Sequence, residues 1–106
     1  MSPSPNDPRP PLSAENSGRL DQALRLSQEL QTPTPDAQTT LVELRMLLDQ
    51  CREGIREQNP DHAGYRLKAV DKARNYLHFL PALDHPEAEG RLRGVGRRLR
   101  RAMRSA

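Results

Sequence analysis

The chain has 106 residues, 34% of them hydrophobic, with two Tyr, one Phe, no Trp and a formal net charge of +3. That length holds one domain, and so thin a supply of large apolar side chains leaves little scaffold to surround a deep pocket; an enzyme built around a concave site, and a small-molecule substrate, are disfavoured first. The net charge conceals a segregation: residues 1–40 carry three Arg against five acids, residues 41–89 seven Lys/Arg against nine acids, and residues 90–106 seven Arg with no acid.

The first twelve residues, MSPSPNDPRPPL, hold five of the ten prolines. Such a segment buries too little apolar surface to fold and is expected to be a disordered Pro-rich arm. PRPPL within it has the composition of a polyproline II ligand, although a plain flexible arm explains it as well. The segment lacks the basic start and apolar stretch of a secretory signal, and no run of apolar residues approaches the length of a membrane span. With one cysteine, Cys51, no internal disulfide can form. The expected setting is cytoplasmic.

Residues 13–106 are expected to form a single helical domain. Leu20, Ala23, Leu24 and Leu30 mark a short first helix over 13–31, ended by Pro33. Ala37, Leu41, Leu44, Leu48, Cys51 and Ile55 recur every three or four residues and predict a second helix over 35–58. Ala63, Leu67, Val70, Ala73, Leu77 and Leu80 predict a third over 60–80, and Ala88, Leu92, Val95, Leu99 and Met103 a fourth over 86–104. Gly94 and Gly96 weaken this last helix by about 1 kcal/mol each relative to Ala, so fraying or a bend is expected there.

The tripeptides TPD at 34–36, NPD at 59–61 and HPE at 85–87 precede the last three helices. Thr34 and Asn59 suit an N-cap, proline suits the first turn, and the acid complements the helix dipole. At the last start, Asp84 with Glu87 offers a capping box. The regular spacing records three helices of similar length entered in one way. The short EQNPDH turn makes its flanking helices antiparallel. The fold class that follows is all-α: a small up-and-down helical bundle of three long helices and a shorter N-terminal one.

Two surfaces stand outside the apolar seams. On the third helix, Tyr65, Ala69, Tyr76 and Phe79 form a second apolar face that holds every aromatic ring of the chain. Either another helix of the same chain covers that face, or it meets a protein partner or a second copy. Val42 and Met46 lie opposite the seam of the second helix, where they are exposed or cover the N-terminal helix.

On the last helix, Arg91, Arg93, Arg97, Arg98, Arg100, Arg101 and Arg104 surround the seam. Four readings fit them. They can be a solvated face held down by Glu43, Asp49, Glu53 and Glu57 of the second helix, or a phosphate-binding face for nucleic acid. They can equally contact an acidic protein or a membrane surface. The tail carries no aromatic residue to stack a base, which weighs against nucleic acid. It carries no Phe or Trp to insert into lipid, which ranks the membrane last.

Chemistry-bearing constellations are sparse. His62, His78 and His85 lack metal-ligand spacing, and no second Cys is available for zinc. Cys51 on an apolar seam reads as a buried hydrophobe, not a nucleophile. Asp71, Asn75 and His78 along one helix face read as a solvated stripe. GVG at 94–96 lacks the strand and the third glycine of a dinucleotide loop. No catalytic residue, metal site or cofactor is expected. The expected role is a non-enzymatic interaction module, an adaptor or chaperone-like bundle, with a nucleic-acid-binding accessory protein as the alternative.

Overall fold

The structure, a computed structural model, describes residues 12–32, 34–58, 64–80 and 82–104. These residues form four α-helices, α1 (Ala14–Glu29), α2 (Ala37–Gln58), α3 (Gly64–His78) and α4 (Pro86–Met103). The expected N-terminal arm lies outside the described residues except for Leu12, which packs against the core and so belongs to the folded domain. The NPD turn also lies outside them.

Local chemistry accounts for the helix ends. Ser13 caps α1, its Oγ accepting from the Asn16 N–H at 3.1 Å. At α2 the Ala37 N–H donates to the Thr34 carbonyl at 3.2 Å, so Pro35 and Asp36 form a turn ahead of the helix. The first turn of α2 therefore holds no acid, contrary to the reading of TPD as a helix start. At α4 the expected capping box is replaced by His85, whose Nδ1 accepts from the Glu87 N–H at 3.1 Å, with Pro86 at the first helical position.

The helices close a ring. α1 packs on α2 and α4, and α3 packs on the same two, while the diagonal pairs α1/α3 and α2/α4 do not approach each other. Neighbours run antiparallel. Asn16 at the start of α1 donates to the Gly54 carbonyl near the end of α2 at 3.1 Å. Arg52 of α2 meets Asp71 of α3, and farther along Arg45 reaches the Leu77 carbonyl. Arg66 of α3 meets the end of α4. The result is the up-and-down bundle that short connections favour.

The core is largely leucine. Leu20, Leu44, Leu48, Leu77, Leu92 and Leu99 are fully buried, with Val70, Val95 and Cys51 between them. Each such side chain contributes roughly 1.5–3 kcal/mol on leaving water. The α2 seam from Leu41 to Ile55 is buried at every expected position. Leu67 of α3 and Leu80, two residues past its end, lie only partly buried against the core.

Among the described residues three polar side chains are buried: Asn16, Ser27 and Arg66. Asn16 also donates to Gln58 Oε1 at 2.6 Å, fastening the start of α1 to the end of α2. Arg66 is 3% exposed, and its guanidinium donates to the carbonyls of Ala102 at 3.0 Å and Arg104 at 3.2 Å. Those oxygens belong to the group a helix C-terminus leaves unpaired, so a side chain of α3 completes α4.

Helix α4 is not frayed at its glycines. It runs unbroken from Pro86 to Met103, and Gly94, Val95 and Gly96 are all buried. Three consecutive buried residues span about 200° of the helix at 100° per residue, so α4 is covered by α1 on one side and α3 on the other. Gly94 abuts the Tyr76 ring of α3, and Gly96 abuts Leu24 of α1. The missing β-carbons admit both neighbours at close range, and that packing offsets the propensity lost. Among the described residues, no helix is long and apolar enough to cross a membrane.

Candidate anion-binding face of helices α3 and α4

Ring order decides what each proposed surface touches. α3 stands between α2 and α4, so its second apolar face is mostly covered from within the chain. Ala69 is buried, and Tyr65 and Tyr76 are half-buried. Phe79 remains 66% exposed, its ring nearly perpendicular to that of His78 with centroids 4.8 Å apart. On α2, Val42 and Met46 are exposed and do not cover α1.

The arginines of α4 divide into two sets. Arg91 and Arg98 are half-buried, while Arg93, Arg97, Arg100, Arg101 and Arg104 are exposed. Arg93 pairs with Glu89 one turn earlier at 2.6 Å. The acids of α2 do not hold this helix down, because α2 and α4 occupy opposite corners of the ring. Asp49 instead binds Arg74 of α3 at 2.8 Å.

Between α3 and α4 runs a furrow of two adjoining hollows. One, of about 180 Å³, is lined by Tyr65, Lys68, Ala69, Lys72, Arg98 and Arg101. The other, of about 280 Å³, is lined by Lys72, Asn75, Tyr76, Phe79, Arg91 and Arg98. Lys72 and Arg98 belong to both. Every Tyr and Phe ring of the chain and five cations thus border one furrow, and no carboxylate of the described residues lines it. The fold sets Tyr65, Ala69, Tyr76 and Phe79 beside three of the seven arginines, Arg91, Arg98 and Arg101, while Arg93, Arg97, Arg100 and Arg104 do not line the furrow.

Lys68, Lys72 and Asn75 were not among the residues singled out for binding. Their signal was their position: they share the outer flank of α3 with Tyr65, Tyr76 and Phe79 at helical spacing. That flank becomes meaningful only once α4 is known to lie beside it. Like charges gathered around an open hollow repel one another, and an incoming anion relieves the repulsion.

A larger groove, about 580 Å³, lies between α2 and α3 and is lined by Arg45, Asp49, Arg52, Asp71, Arg74, Asn75 and His78, with Leu48 and Leu77 at its floor. Its charges are satisfied internally. Arg52 binds Asp71 at 3.0 Å, and Arg74 bridges Asp49 at 2.8 Å and Asp71 at 3.5 Å. This groove works as a clip between helices, whereas the smaller furrow holds unmatched positive charge.

No three His, Cys, Asp or Glu side chains among the described residues lie close enough together to share a metal ion. The Cys51 thiol is pushed up to about 11 by burial, against a smaller downward pull from Arg19. It is therefore protonated, and a poor nucleophile, at neutral pH. No protein-family model, curated protein or solved structure matches the chain.

Proposed function

We propose that the protein is a non-enzymatic binding module, an adaptor or chaperone-like helical bundle that holds an acidic macromolecular partner along the α3/α4 furrow. The convergence of Lys68, Lys72, Arg91, Arg98 and Arg101 on a surface that no carboxylate of the described residues lines carries this reading. Arginine suits it, since a planar guanidinium donates two parallel hydrogen bonds to a carboxylate or phosphate. A cytoplasmic setting accords with the single cysteine being a buried thiol.

Heparin, a generic polyanion, tests the reading. The double variant Lys72→Glu/Arg98→Glu should leave a heparin column at clearly lower salt than the parent protein. Reversing Arg25 and Arg56, exposed charges of α1 and α2, changes net charge equally and should shift elution much less. Co-elution of the two variants would show that the furrow has no special role.

A second copy of the chain is another acidic partner with support of its own. The outer face of α2 shows Val42 at 53% and Met46 at 58% exposure, beside Glu43. Apolar and acidic together, that face complements the rings and cations of α3/α4. Sedimentation should then reveal concentration-dependent association that is lost in Val42→Ser/Met46→Ser. A monomer at every concentration removes this second reading.

A further inference from the structure

Resting on the α3/α4 reading above, we propose that the polyanion is a single-stranded nucleic acid, with bases lodged against Tyr76 and Phe79 and its phosphates held by Lys72, Arg91 and Arg98. The larger hollow of the furrow holds these five side chains together with Asn75. It therefore combines flat apolar rings, an amide that can both donate and accept at a base edge, and cations around the rim. An acidic peptide would use the cations and leave the rings without a role. A strand of nucleotides uses both, since each unit offers a planar π face and one negative charge.

The rings differ in readiness. Phe79 is 66% exposed, so much of its ring is open to solvent and within reach of a base. Tyr76 is seated against Gly94, so it is a rigid wall. The second hollow, with Tyr65, Lys68 and Arg101, lies seven residues back along α3, about 10 Å along the helix axis. Two stations of ring and cation in line fit an extended strand. Paired bases of a duplex are stacked already and present only their edges in the grooves, so rings set in a furrow cannot reach their faces.

The test uses the full chain at about 50 mM salt with four fluorescein-labelled probes: dT20, rU20, a matched 20-base-pair duplex, and a poly-glutamate of twenty residues. Either single strand should bind at least about ten times more tightly than the duplex or the peptide. Phe79→Leu removes an exposed ring and leaves the core untouched. It should weaken single-strand binding at least about five-fold, with the helical circular dichroism unchanged and the salt dependence of binding unaltered. Lys72→Gln/Arg98→Gln should instead lower the slope of log affinity against log salt by about 1.4, at 0.7 per phosphate contact on a single strand. The proposal is overturned if the duplex or the peptide binds as well as the single strands, or if Phe79→Leu leaves affinity unchanged. In those cases the furrow still binds polyanions and the broader reading stands. If none of the four probes binds and heparin does not either, both fail together.

Discussion

The ring of Tyr76 lies against the bare backbone of Gly94, so close that a β-carbon there would sit 3.2 Å from Cζ and 3.3 Å from Cε1. This contact seats the aromatic wall of the furrow on α4. A bulkier residue must push the ring outward or the helices apart. Gly94→Val should therefore destabilise the protein by about 1–3 kcal/mol, the usual range for an overfilled contact. Chemical denaturation measures that loss. With no Trp in the chain, the tyrosine emission should change in the folded state as well. Unchanged stability and emission would mean the two helices are not packed as described.

The remaining glycines separate by what surrounds them. A methyl at Gly54 would overlap Asn16 Oδ1 and Arg19 Nη1 and dislodge the side chain that fastens α1 to α2. Gly54→Ala should cost about 1–2 kcal/mol despite its better helix propensity. Gly18 and Gly90 lie inside helices with nothing near a new β-carbon. Gly18→Ala and Gly90→Ala should each stabilise by about 0.5–1 kcal/mol in urea titrations.

Arg66 closes the C-terminus of α4 from inside the bundle. Arg66→Ala leaves the carbonyls of Ala102 and Arg104 without that donor and opens a cavity, for an expected loss of about 2–4 kcal/mol. Arg66→Lys should recover less than half, because one ammonium cannot reproduce the spread of a guanidinium fork. Amide exchange in the last turn of α4 should accelerate more than elsewhere.

Burial of Cys51 makes stability depend on pH in the alkaline range. Its folded value of about 11 stands above an ordinary value near 9, so the unfolded chain loses the proton first as pH rises. Fewer bound protons in the unfolded state mean that stability falls with pH between roughly 9 and 11. The difference in stability between the parent and Cys51→Ala should shrink by about 2 kcal/mol from pH 8 to pH 10.5. A constant difference over that range would show that the thiol is not desolvated.

Particular residues show how much of this could be read in advance. The α2 seam from Leu41 to Ile55 was legible to the residue, because a three-four alternation of apolar side chains has one helical solution. The buried faces of α4 at Leu92, Val95 and Leu99 were equally plain. What periodicity lacks is the identity of the neighbour. It marks the wet side of a helix without naming the helix alongside. One of the four readings of the seven arginines thus paired them with acids of α2, a helix that does not neighbour α4 in the ring. The objection that the basic tail has no ring to stack a base loses its force for the same reason, since the rings come from α3.

Arg66 was missed for a different reason. An arginine among apolar neighbours reads as an exposed charge, and only the position of another helix end explains its burial. Gly94 and Gly96 were taken as weaknesses because propensity is a property of an isolated helix, while their value lies in what they allow to approach.

Opposite sides of the ring also carry opposite charge. α3 and α4 together hold ten Lys/Arg against three acids, and α1 and α2 five against seven. The bundle is consequently an electric dipole directed across its short axis. A negatively charged molecule arriving from any direction exerts a torque that turns the α3/α4 side toward it before contact. An anion bound on that side would leave the negative α1/α2 side facing outward, which would disfavour a second anion there.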